Sequence, residues 1–182
     1  MTWIERHYRL LGVIAVLVTL NVFLFFLGPQ QVVDSIGVSN TYLIVFIIAT
    51  VGGMSSFTGA TYASAVITFT AGGANPWLIG LCGGVGVFIS DSLFYLLAEY
   101  GRRVVPHDWK PTLERVARKM RVLPTKTVLL LSYVYHSLPL PSDLMMLALV
   151  LGKYSYRTVA PVIFLAALTY SILIAHFGSL WS

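Results

Sequence analysis

The sequence predicts an all-α integral membrane protein. Its plan is an inverted repeat of a re-entrant helical hairpin plus a transmembrane helix, with an extra N-terminal transmembrane helix and a cytoplasmic amphipathic helix. Three observations predict it. First, of 182 residues 57% are hydrophobic and only 10% are charged, with a mean hydropathy of +0.81. Second, several nearly uncharged segments are long enough to cross a bilayer core of about 30 Å at about 1.5 Å per helical residue. Third, the cations cluster: Arg6 and Arg9 precede the first apolar run, Lys153 and Arg157 sit together, and the other Lys and Arg residues fall between 102 and 126. A path that keeps all of them cytoplasmic satisfies the positive-inside rule. The chain reads as one membrane domain over 1–182, with no polar tail and no low-complexity linker.

The elements follow in order. Residues 8–28, "YRLLGVIAVLVTLNVFLFFLG", exceed the apolar run of a signal peptide, and no A-x-A-like site follows. They read as a retained span that leaves a cytoplasmic N-terminus, and 28–40 is then outside. Residues 77–98 must end inside, because the basic loop 101–126 follows. Residues 41–75 therefore leave from the outside and return to it, as a re-entrant hairpin broken in "VGGMSSFTGATYAS" at Gly52 and Gly53. Within the basic loop, 111–122 is an amphipathic helix with Leu113, Val116, Ala117 and Met120 at i, i+3, i+4, i+7. It is expected to lie on the membrane, with Arg115, Arg118, Lys119 and Arg121 meeting anionic head groups.

Residues 127–152 leave from the inside and return, as a second hairpin whose tip is "HSLPLPSD", 136–143. Pro139 and Pro141 lack an N–H and clash with the carbonyls one turn earlier in a continued helix. The freed backbone groups must be covered by protein or line a wet cavity. The alternative is one continuous, proline-kinked span over 127–151, which would leave Lys153 and Arg157 outside. Residues 158–178 then cross outward. A hairpin and a span thus occur twice, entered from opposite faces, which is a transporter arrangement.

Few residues can carry chemistry. Asp91 lies inside the 77–98 span, about 15 Å from the basic loop along a helix. An intramembrane carboxylate is costly and marks a functional site by default; it can also be a structural group paired with a freed N–H. Tyr95, one turn on, can donate to it. Ser142 or Asp143 can N-cap the second half-helix, and Asp143 can also bind a proton, cation or head-group amine. His136 can relay protons or bond freed carbonyls. Ser56 and Thr58 add hydroxyls to a path through the first hairpin. His176 reads as interfacial, and Glu99 pairs with Arg102 and Arg103. Gly80, Gly83, Gly84 and Gly86 permit close helix packing, and Cys82 is a small packing residue. There is no zinc spacing, Walker loop, dinucleotide fingerprint or nucleophile–base motif. No metal, no cofactor and no catalytic residue is expected, and the protein does not read as an enzyme. The formal charge of +5 belongs to cytoplasmic loops, not to nucleic-acid binding.

"GGVGVFISDSLFYLLAEYGRR", 83–103, is similar to the Gly-rich span of the DedA family, also called SNARE-associated or VTT-domain proteins. Asp91 and Tyr95 match its pattern, with Gly101-Arg102 shifted slightly. "SLPLPSDLMMLALVLGKYSYRTVAPVIF", 137–164, resembles the family's second hairpin, and "PLPSD" resembles the branch labelled YqaA. The resemblance covers roughly residues 41–175. The chain departs from many members in having no acid or proline in "GGMSSFTGATYAS", and in carrying His136 and Ser142 where arginines flank the proline. The resemblance implies movement of lipids or lipid-linked phosphates between leaflets of a cell membrane, in the manner of a flippase or scramblase, with or without coupling to the proton-motive force. The partners would be anionic phospholipid or lipid phosphate, with protons and a homo-oligomer left open. The alternatives are an ion- or proton-coupled transporter of a small solute, and a membrane scaffold that transports nothing.

Overall fold

The computed structural model of the chain describes residues 29–52, 56–100 and 110–181. The expected span at 8–28, Gly53, and the loop start with Arg102 and Arg103 lie outside the described residues. Among the described residues every regular element is a helix and there is no strand. In chain order the helices are α1 (Pro29–Ile36), α2 (Val38–Gly52), α3 (Ser56–Ala71), α4 (Pro76–Tyr100), α5 (Lys110–Val122), α6 (Thr125–His136), α7 (Ser142–Leu151) and α8 (Tyr156–Ser179).

Two of these are long and apolar enough to cross a membrane. α4 has 25 residues and α8 has 24, or about 37 and 36 Å. Less than half of the most apolar stretch of each is buried. Leu81, Val85, Leu93 and Leu97 of α4 face outward, as do Leu165 and Leu173 of α8. α6 and α7, with 12 and 10 residues, reach only about 18 and 15 Å.

α4 and α8 lie antiparallel along their whole length. Trp77 meets His176 edge-on at 4.7 Å between ring centroids, Phe88 meets Phe164 at 5.1 Å, and Tyr95 meets Tyr156 at 5.6 Å. Between them the glycines set the approach. A Cβ added at Gly80 would sit 2.8 Å from the Ile172 Cα, and one at Gly84 would sit 2.9 Å from the Leu168 Cα. Gly86 performs the same service against Ala49 and the Phe46 carbonyl of α2.

The short helices fold back in pairs. After α3 the chain returns to where α2 began, with the Asn75 N–H 3.4 Å from the Tyr42 hydroxyl. After α7 it returns to the residues just before α6. There the Tyr154 hydroxyl donates to the Met120 carbonyl at 2.9 Å, and the Arg121 guanidinium donates to the Leu151 carbonyl. Packing is crosswise: α2 lies on α4 and α6 on α8, whereas α3 lies on α8 and α7 on α4.

Both pairs end in the same turn. Gly73, at φ +90°, follows α3, and Lys153, at φ +64°, follows α7. In each turn the next N–H reaches five residues back, Ala74 to Phe69 at 3.0 Å and Tyr154 to Leu149 at 3.2 Å. This is the glycine-type helix stop that satisfies the last carbonyls. Lys153 adopts the left-handed conformation despite its Cβ. The interval from Gly73 to Pro76 at the head of α4 equals that from Lys153 to Tyr156 at the head of α8.

The buried side chains form two clusters at opposite ends. One joins Val33, Val45, Tyr62, Val66, Ile79 and Ala175. The other joins Tyr95, Leu113, Val128, Met146, Leu149 and Val159. The described Lys and Arg residues lie on α5, at the start of α6 and around the start of α8, all at the end of the second cluster.

Two expectations need correcting. Residues 29–40, expected outside with no helix assigned, are α1 and the first turn of α2. Pro29 is preset for a helical start, Val33 is buried against the core, and Gly37, at φ +84°, breaks the two helices apart. The apolar face of α5 does not lie free for the membrane. Leu113, Ala117 and Met120 are buried within the protein, while Val116 is 41% exposed. α5 packs on α7, so its apolar stripe seals the end of the second helix pair.

Candidate functional site

The break between α6 and α7 bonds much of its own backbone. The Ser137 N–H bonds the Tyr133 carbonyl at 3.0 Å, Leu138 bonds Tyr135 at 3.3 Å, and Leu140 bonds Leu138 at 2.7 Å. Pro139 and Pro141 have no N–H to place. The Tyr135 hydroxyl donates to the Pro141 carbonyl at 2.9 Å. The prolines thus end one helix and start the next, with the N–H groups of Ser137, Leu138 and Leu140 all used within the break.

Asp91 lies against this break. It is 2% exposed, and the Ser142 hydroxyl donates to its Oδ1 at 3.0 Å. The contact corrects two expectations. Ser142 and Asp143 do not cap α7; the N-cap position is Pro141, with no side-chain cap, because the serine hydroxyl is committed to Asp91. Tyr95 does not serve Asp91 either. Its hydroxyl donates to the Tyr154 carbonyl at the end of the α7–α8 turn. Asp143 lies within electrostatic reach of Asp91 and Tyr135.

His136 closes α6 and is 7% exposed. Its Nδ1 lies 2.8 Å from the Ser132 carbonyl. A carbonyl only accepts, so Nδ1 carries the proton and Nε2 presents a lone pair. Among the described residues Nε2 has no partner, and neither do the buried hydroxyls of Thr61, Ser90, Ser92 and Ser132. Buried polar atoms left unpaired are exceptions that ask for an explanation, and of these residues His136 lines the cavity beside Asp91.

Tyr62 of α3 was not foreseen. Its ring is buried and its hydroxyl donates to Ser171 of α8 at 2.7 Å. A Cβ at Gly83 would fall 2.2 Å from that hydroxyl, so the glycine is what admits the tyrosine. Ser171 stands to Tyr62 as Asp91 stands to Ser142: the interval from Tyr62 to Ser142 equals that from Asp91 to Ser171. A signal existed in the matching turns "AGGANP", 71–76, and "LGKYSY", 151–156, whose alignment pairs Asp91 with Ser171.

A cavity of about 280 Å³ joins these groups. It is lined by Asp91, His136 and Leu138–Ser142 on one side, and by Gly59, Ala60, Tyr62 and Ala63 near the start of α3 on the other, with Val87, Ala167 and Tyr170 between. Of the expected pathway residues, Asp91, His136, Ser142, Pro139 and Pro141 therefore come together. Gly52 closes α2, and Ser56 opens α3 with Thr58 in its first turn; the side chains of Ser56 and Thr58 lie outside the described residues. The basic residues do not join this cavity. Arg118 and Arg121 line a separate hollow with Glu114, Ala117 and Leu151, while Arg115 and Lys119 are exposed on α5. Among the described residues no cluster of three or more His, Cys, Asp or Glu side chains could hold a metal ion.

The geometry separates structural from functional hydroxyls. Tyr95→Phe is expected to lower stability by about 1 kcal/mol, the worth of one ordinary hydrogen bond. Thermal melting checks this.

Comparison of the chain with protein-family models, with curated proteins and with solved structures finds no match.

Proposed function

We propose that this chain is a multi-pass membrane protein that moves lipids between leaflets, as its resemblance to the DedA family suggests. The N-terminus and the basic loop face the cytoplasm in this reading. α2–α3 and α6–α7 are re-entrant hairpins entering from opposite faces, and the two halves form an inverted repeat. What supports the topology is the antiparallel α4–α8 pair, the crosswise packing, the matched turns at Gly73 and Lys153, and the gathering of Lys and Arg at one end. α6 and α7 are each about half the length that a crossing needs.

The observation that carries the function is the buried carboxylate of Asp91, hydrogen-bonded to a proline-broken helix start beside a largely apolar cavity. Irregular backbone at membrane depth is tolerated where it lines a cavity or is covered by protein, and broken helices at the midplane are where transporters bind. A head group would cross through this cavity while its tails stay in lipid.

Purified full-length protein in liposomes tests the reading, with an acyl-labelled lipid and a membrane-impermeant quencher. Exchange should be faster with protein than without; equal rates would refute it. The basic helix should act on supply. Replacing Arg115, Arg118 and Lys119 with glutamine should slow exchange on anionic vesicles by up to about 100-fold, since each cation near an anionic surface contributes about 1 kcal/mol and about 1.4 kcal/mol is a factor of ten. High salt should erase most of the difference.

A further inference from the structure

We infer that the cavity between the two helix breaks binds a primary ammonium group, and that the protein selects amine-bearing molecules over phosphate-only ones. This rests on the transport reading above and narrows its substrate class.

The sign of the cavity is the first reason. Asp91 is its one acidic lining residue, and no Lys or Arg among the described residues lines it. Helix dipoles do not reverse that sign. The break ends α6 and begins α7, so a C-terminus and an N-terminus face the cavity together and their partial charges offset, and the start of α3 adds about half a positive charge, less than the full charge of Asp91. An anionic phosphate would meet the Asp91 carboxylate with no guanidinium or ammonium to hold it.

The hydrogen-bonding pattern is the second. His136 lines the cavity, is buried, and has an unpartnered Nε2 that acts as an acceptor once Nδ1–H is committed to Ser132. The Tyr62 hydroxyl spends its proton on Ser171 and so can only accept. The cavity is rich in acceptors. An ammonium group offers three donors and no acceptor; a phosphate offers chiefly acceptors.

The third reason is aromatic. Tyr62 and Tyr170 both line the cavity, with ring centroids 6.3 Å apart. Tyrosine faces attract cations, most strongly when water is excluded. The volume of about 280 Å³ is at the low end for small-molecule sites, with room for a head group or a small amine but not for acyl chains.

The ammonium could come from an aminophospholipid or from a soluble amine, and one set of measurements separates them. Thermal stability of the purified full-length chain is measured with glycerophosphoethanolamine, ethanolamine, their N-acetyl derivatives, and inorganic phosphate. The ammonium compounds should raise the midpoint by several degrees, and the N-acetyl derivatives and phosphate should not. Equal protection by phosphate or by the N-acetyl compounds overturns the inference, as does no protection by any amine. Because this is a binding readout, a protein that binds amines yet moves no lipid refutes transport alone.

In liposomes, acyl-labelled phosphatidylethanolamine should exchange about tenfold faster than its N-acetyl derivative, as expected for loss of one charged hydrogen bond. That preference without uptake of labelled ethanolamine assigns the lipid head group; ethanolamine uptake assigns the free amine. Exchange without preference, and without ethanolamine uptake, overturns the inference alone. Asp91→Asn should abolish amine protection, and Asp91→Glu should restore part of it. The ligand series on the unaltered protein decides the matter even if Asp91→Asn fails to fold.

Discussion

Asp91→Asn should slow lipid exchange about 10- to 100-fold while leaving the protein at least as stable as before. The two halves of that result have separate causes. Asparagine keeps the shape of the side chain and an oxygen that can accept from the Ser142 hydroxyl, now at 3.0 Å. The contact that holds α4 against the start of α7 therefore survives. What disappears is a charge that is 2% exposed. Burying a charge is expensive, and replacing it with a neutral group of similar volume is often neutral or stabilising. A hydrogen bond to a charged group contributes about 1.5–3 kcal/mol, and about 1.4 kcal/mol is a factor of ten in rate. A head group that uses this carboxylate loses that much when it becomes an amide. A scaffold that needs Asp91 only for folding predicts the opposite pair: lower stability and no flux to lose. Melting and exchange measured on the same preparation distinguish the two.

Gly84→Val should disrupt the α4–α8 interface and lower stability markedly. The first added atom already falls 2.8 Å from the Leu168 Cδ2, 2.9 Å from the Leu168 Cα and 3.2 Å from the Ala167 carbonyl. Backbone atoms cannot rotate aside, so the helices must move apart. Overpacking of this kind costs about 1–3 kcal/mol, and here it acts on the longest helix pair in the fold. Membrane helices associate through close packing at small residues, because lipid tails are as apolar as the side chains they would replace. Gly84→Ala should show a smaller loss of the same sign. Gly59→Ala, where an added Cβ meets nothing within 4 Å, should raise the midpoint slightly, because alanine favours a helix over glycine by about 1 kcal/mol. Gel-filtration profile and melting midpoint report all three.

What could be read from the sequence was what stands out against hydrocarbon. Asp91 and the Pro139–Pro141 pair are conspicuous in apolar runs, and they do meet at the cavity. The long apolar helices and the amphipathic 110–122 segment were legible from composition and period alone. The choice of partners was not. Tyr95 is one turn from Asp91, and proximity along the helix made them look like a pair. Side-chain length and the return of the chain at Tyr154 decided otherwise. Ser142 looked like a cap because serine before an apolar helix often is one; only the crosswise packing of α7 on α4 brings Asp91 within its reach. Tyr62 was invisible because its partner Ser171 is far along the chain and its slot is made by Gly83, a residue that reads simply as packing. The helix at Pro29–Ile36 was masked by its polar composition, though Val33 and Ile36 lie three apart, as one helical face requires.

The most direct test of the account is where the ends of the short helix pairs surface. In a Cys82→Ser background, single cysteines at Val38, Asn75, Thr125 and Ser155 are all at exposed positions. Alkylation with a membrane-impermeant reagent on intact and on opened cells reads the side of each. The account predicts that Val38→Cys and Asn75→Cys react from outside, and that Thr125→Cys and Ser155→Cys react only after opening. Labelling of Val38→Cys and Asn75→Cys from opposite sides, or of Thr125→Cys and Ser155→Cys from opposite sides, would mean a helix pair that runs through the membrane instead of turning back within it.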